Sequence, residues 1–252
     1  MHSGNPTFTN AVLDDFRSHA TLSDAGMTVR GTAAKTMILL GLCVGTACFT
    51  WSMVWSAVAA QNLASVMPWA LGGVIGGLVF GFATAFVPRW APVTAPLYAL
   101  AEGLFLGALS AILEMNYPGI ALQGTAATFG TLFSLLLAYQ SGVIRATEQF
   151  KAGVFAATGG ICLIYLISFV LRFFGMSIPL IHESGVIGIG FSVFVVIVAA
   201  LNLVLDFDYI ENASRSGAPK SMEWYGAYGL MVTLVWLYIE VLKLLMKLRS
   251  RD

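Results

Sequence analysis

Apolar runs of roughly the length of a bilayer crossing, about 20 residues, alternate along this chain with short polar or proline-containing breaks. Seven such runs fall at 36–59, 66–87, 92–113, 119–140, 152–174, 184–206 and 226–247. The breaks read "QNLAS", "VPRWAP", "EMNYPG", "RATEQFK", "MSIPLIHES" and the long "ENASRSGAPKSMEW". None of the runs alternates polar and apolar positions as a barrel strand does. A lipid-embedded backbone must satisfy its own polar groups, so runs of this kind predict helices. The fold class expected is therefore an all-α membrane protein with seven transmembrane helices. The fourth run is the least apolar, because Gln123 and several threonines dilute it.

Composition agrees with that pattern. Hydrophobic residues make up 58% of the 252 and charged residues only 10%, against about a quarter charged in soluble domains. The formal net charge is zero, which gives nucleic acid no basic surface to bind. Residues 1–33 are polar and of mixed charge, and predict a mostly disordered cytoplasmic tail with a helical turn near "AVLDDFRSHA"; 34–252 form the transmembrane domain. The tail lacks the basic start and immediate apolar core of a signal peptide. With seven spans the termini lie on opposite sides. Arg89, Arg145, Lys151, Arg215 and Lys220 fall in breaks on one side, against Arg172 alone on the other. Cytoplasmic loops carry the excess of Lys and Arg, which puts the N-terminus in the cytoplasm, although Lys243, Lys247, Arg249 and Arg251 pull the other way.

Small residues mark where helices approach. Gly73, Gly77 and Gly81 recur every fourth residue in the second run, with Gly72 and Gly76 beside them, and Gly103 and Gly107 repeat the pattern in the third. Such spacing lets backbones pack closely in lipid, and predicts a tight bundle within one protomer.

Four carboxylates stand where the bilayer makes charge costly, roughly 2.5–3.5 kcal/mol at mid-depth: Glu102, Asp206, Asp208 and Glu240. Glu102 lies about ten residues into the third run, as a protonated group bonded to a neighbouring helix or as a functional one. Glu240 reads as an i,i+3 partner of Lys243 if the seventh helix starts near Trp224, and as a mid-depth acid if it starts near Gly229. Asp206 and Asp208 are two residues apart and cannot share a helix face, whereas Asn202 and Asp206 do. Asp206 is thus the candidate interior group on a polar stripe with Asn202, and Asp208 and Glu211 are interfacial.

No catalytic constellation accompanies these acids. The histidines His2, His19 and His182 fall in the tail and in a loop, and the sequence holds no HExxH or phosphate-loop pattern. Cys43, Cys48 and Cys162 sit in apolar runs, without the paired spacing of a zinc site. Neither an enzyme, a resident metal nor a cofactor is expected.

The order of these features resembles the Bax inhibitor-1 family: "AEGLFLGALS" in the third span, an acid closing the sixth, and "LYIEVLKLL" in the seventh. The resemblance covers about residues 35–248, and is nearest to a bacterial branch with a long polar N-terminal tail. It implies a last helix central to the other six, an inner-membrane location, and a pH-sensitive calcium leak channel. It also implies a sixth-span acid sharing a proton with a seventh-span acid. The family patterns fall on Asp206 and Ile210, and on Leu237, Tyr238, Ile239 and Glu240. Arg89 in "FVPRWAP" lies near the position of a basic residue that holds the closed state. Two departures stand out: the seventh-span acid is Glu rather than Asp, and the second span has no carboxylate. Glu102 and Asn202 are then the candidates for an ion path, with calcium as the permeant ion. The competing class is a non-conducting membrane protein that binds a membrane protease or another membrane partner. A proton-coupled carrier ranks lower, because the chain shows no internal repeat.

Overall fold

The computed structural model of the chain describes residues 26–175 and 185–250. The expected tail up to residue 25, with its helical turn, and the loop residues 176–184, with His182, lie outside them. Seven helices are described, and all are long and apolar enough to cross a membrane. They are α1 (Val29–Ala59), α2 (Met67–Phe86), α3 (Ala91–Asn116), α4 (Ile120–Gln140), α5 (Glu148–Phe173), α6 (Val186–Arg215) and α7 (Met222–Arg249). Two short 3₁₀ turns, Leu63–Ser65 and Pro88–Trp90, precede α2 and α3. Among the described residues there is no strand, only an isolated bridge between Gly26 and Pro219.

The number of spans matches the hydrophobic pattern, and the largest differences lie at helix ends. α1 begins at Val29, seven residues before the first apolar run, because the Thr28 hydroxyl accepts from the Gly31 amide and caps the helix. α6 continues to Arg215 through "FDYIENASR", nine residues past its apolar run. Its polar end is held by pairs one turn apart: Asn212 donates to Asp208 at 3.0 Å, and Arg215 to Glu211 at 2.6 Å. Hydropathy marks where lipid begins, not where a helix stops.

The described chain forms two compact units. The first runs to Ala121 and adds Asp208–Val232; the second comprises Leu122–Phe207 and the chain from Thr233 onward. In the first unit α3 packs on both α1 and α2. Gly103 and Gly107 bring α3 against the α1 backbone, where an added Cβ would collide with the carbonyls of Cys43 and Ala47. Thr46 bridges the same contact, donating to the Leu100 carbonyl at 3.0 Å. At Gly73 an added Cβ would lie 2.7 Å from the Phe105 amide nitrogen of α3. The stripe through Gly73 and Gly77 is therefore the packed one, whereas Gly72 faces open space.

The start of α1 is fastened to the connection between α6 and α7, also within the first unit. The Met27 amide donates to the Ala218 carbonyl at 2.7 Å, and the Ser214 hydroxyl donates to the Met27 carbonyl at 3.1 Å. Glu223, 1% exposed in the first turn of α7, accepts from the Thr28 amide and hydroxyl at 3.0 and 2.9 Å. The Lys35 ammonium completes the set with an ion pair to Glu223, and lies 5.6 Å from the centre of the Trp224 ring. Gly31 leaves room for this carboxylate, since a Cβ there would overlap it.

In the second unit Ile161 of α5 packs with Val195 and Val198 of α6, backed by Tyr165, Phe191 and Trp236. Gly124 of α4 lets Leu242 and Tyr238 of α7 approach. Near the end of α7, Arg249 donates to the Gln123 side chain at 2.9 Å.

Candidate functional site

Within the second unit, α5, α6 and α7 each turn polar side chains toward one another. On α6, Asn202 and Asp206 follow each other by one turn, and both are buried. Asn202 donates to the Thr158 hydroxyl of α5 at 2.9 Å and to the Val198 carbonyl at 2.8 Å. Asp206, 0% exposed, accepts from the Thr233 hydroxyl of α7 at 2.6 Å. Seven residues further along α7 stands Glu240, 1% exposed. The Tyr165 hydroxyl of α5 lies 3.0 Å from both of its oxygens, and the Lys243 ammonium lies 2.7 Å from one. One turn later the buried Lys247 donates to the Gly188 carbonyl and the Ser192 hydroxyl of α6, at 3.0 and 2.9 Å.

These groups form a polar string along the helices of this unit. Its members recur at sevens: Thr158 and Tyr165 on α5, and Thr233, Glu240 and Lys247 on α7. Seven residues are nearly two whole turns, so each set keeps to one helix face. Burying such groups is tolerable only where each finds a partner, and the hydrogen bonds above supply them.

Asp206 and Glu240, expected to share a proton, each take a hydrogen bond from another helix, Asp206 from Thr233 and Glu240 from Tyr165. Asp206 meets α7 at Thr233, and the seven residues from there to Glu240 rise about 10 Å along the axis. Glu240 accepts from Tyr165 and pairs with Lys243. Because α7 starts at Met222, the reading of Glu240 as an i,i+3 partner of Lys243 holds.

The remaining expected residues divide by unit. Asp208 and Glu211 are half-buried on the polar end of α6, on the side away from Asp206. Glu102 is half-buried on α3 in the first unit, with its carboxyl seated where Gly77 of α2 has no side chain. Near it the Tyr98 ring meets the Tyr228 ring edge-on at 5.1 Å, and the Tyr228 hydroxyl donates to the Gly81 carbonyl at 2.8 Å. Arg89 lies exposed in the turn before α3, and makes no ion pair among the described residues.

Sequence reasoning missed Thr158, Tyr165, Thr233, Ser192 and Lys247. The spacing of seven was the available signal; it extends on α5 to Lys151 and Arg172. Among the described residues no group of three or more His, Cys, Asp or Glu could hold a metal ion.

The sequence model of the family described as Bax inhibitor 1 like matches residues 5–250. The chain belongs to that family. No curated protein and no solved structure matches it. A Bax inhibitor 1 like protein with seven apolar helices is an integral membrane protein in contact with the lipid bilayer.

Proposed function

We propose that this Bax inhibitor 1 like chain is a cation leak channel of the bacterial inner membrane, with calcium as a permeant ion and pH as its control. The observation that supports this reading is Asp206. It is a carboxyl fully enclosed in an apolar helix bundle, bonded to the next helix, on the same face as a buried Asn202. An ionisable group in that position is functional by default, because its burial stabilises nothing that an apolar residue would not. A central last helix, as the resemblance implies, would put Thr233, Glu240 and Lys247 along the axis of such a path.

In this mechanism Asp206 and Glu240 act in series. Protonated, Asp206 keeps its bond to Thr233 and the string is neutral at that level. Deprotonation leaves Thr233 donating to the carboxylate but adds a negative charge inside the bundle, which is costly without a counter-charge and gives a hard cation the oxygen ligands it prefers. Flux therefore rises as pH rises. Calcium flux into proteoliposomes, followed across pH, tests this for the wild type and for Asp206→Asn combined with Glu240→Gln. The double variant should lose most of the pH response; an unaltered flux and pH profile would rule the mechanism out.

A second reading also has an observation in its favour. Glu240 is already neutralised by Lys243, as befits a structural ion pair in a non-conducting regulator that binds a membrane protease or another membrane partner. Deleting residues 1–33 separates the two. A regulator loses co-purifying membrane proteins with its tail, whereas a channel keeps its flux.

A further inference from the structure

The same ion pair carries a more specific consequence, which deepens the channel reading and rests on it for its physiological meaning. Glu240 and Lys243 are unequally placed. The carboxylate side chain is 2% exposed, and the lysine side chain 41%. The lysine therefore approaches the buried acid from the open side, and its long flexible stem is free to leave by the way it came. Its ammonium is also held from a second direction, 4.8 Å above the ring of the Tyr165 that donates to Glu240. A carboxylate oxygen, a phenol oxygen and an aromatic face together make a seat shaped for a cation.

We propose that Lys243 is a tethered counter-cation: its ammonium occupies the place at Glu240 and Tyr165 that a free hard cation would take, and so decides whether one can bind. Withdrawal of the lysine leaves a buried carboxylate unpaired, a state that demands a replacement positive charge. Lys247 feels the Glu240 charge from two turns further along α7, but its ammonium is hydrogen-bonded to Gly188 and Ser192 of α6, so it offsets that charge without filling the vacated seat. A divalent or trivalent cation offers the buried acid more charge than the ammonium and prefers oxygen ligands. Exchange between tethered and free cation thus sets which ions enter this end of the string.

Terbium luminescence sensitised by nearby aromatic rings reports the exchange, since Tyr165 adjoins the seat. In purified protein, Lys243→Met should tighten terbium binding at least tenfold over wild type. The gain should vanish in Lys243→Met with Glu240→Gln, and be absent in Lys243→Arg. No tightening in a Lys243→Met protein that keeps its thermal transition would overturn the proposal, as would a gain that survives Glu240→Gln. A measurement on the wild-type chain covers the case in which that variant fails to fold. Acetylation of Lys243, followed by mass spectrometry, should rise at least threefold in saturating terbium, and an unchanged rate overturns the proposal equally. Calcium flux by the same wild-type protein is scored separately. Tight binding without flux removes the channel reading and leaves the tethered cation standing; flux without terbium exchange does the reverse.

Discussion

Tyr165 has no apolar substitute of the same shape that keeps its bonds. Its hydroxyl lies 3.0 Å from both oxygens of a carboxylate 1% exposed, so Tyr165→Phe removes a donor from a buried charged acceptor. Bonds to charged groups contribute about 1.5–3 kcal/mol, and the thermal midpoint in detergent should fall accordingly. A midpoint within error of wild type would mean that Lys243 alone satisfies Glu240. Thr233 makes the same case for Asp206. Thr233→Val keeps the volume and deletes the donor, at a cost of about 1–3 kcal/mol, whereas Thr233→Ser should retain most of the stability. Only part of this was readable beforehand. Asn202 marks the inward face of α6 by simple helical geometry, and Lys243 lies one turn from Glu240 on any helix. Partners on other helices, Tyr165 and Thr233 among them, depend on which residue of one helix stands level with which of another. Composition and spacing along one helix carry no information about the offset between two.

At the level of helices, contact and lipid exposure are decided by the smallest side chains. Gly103→Ala or Gly107→Ala would press a methyl group into the α1 backbone, and overpacking of this kind costs about 1–3 kcal/mol. Gly72→Ala meets nothing and should leave the thermal midpoint unchanged or slightly raised, which makes it the matched control. Equal effects at Gly72 and Gly103 would contradict the packing described. The spans themselves were legible because twenty apolar residues have few alternatives in a bilayer. Helix ends were less so: Thr28 and Thr147 cap α1 and α5 through single hydroxyl bonds to Gly31 and Phe150, and α6 runs on through acids that a hydropathy window reads as loop.

For the molecule as a whole, seven spans place successive connections on alternate faces of the membrane. Single cysteines at Ser141 and Ser216 should share one accessibility to a membrane-impermeant thiol reagent, the one expected for the cytoplasmic side, and a cysteine at Asn62 should show the opposite. Labelling of all three from one side would break the seven-span topology. The fastening of α1 to the start of α7 has a further consequence, in the order of synthesis. Lys35 leaves the ribosome 188 residues before Glu223, the acid that neutralises it. Throughout translation of α2 to α6 the first helix carries Lys35 without the carboxylate that holds it in the folded chain. A chain cut short before residue 223 never gains that partner, so the start of α1 stays without the bonds that Glu223 makes to Thr28 and Lys35.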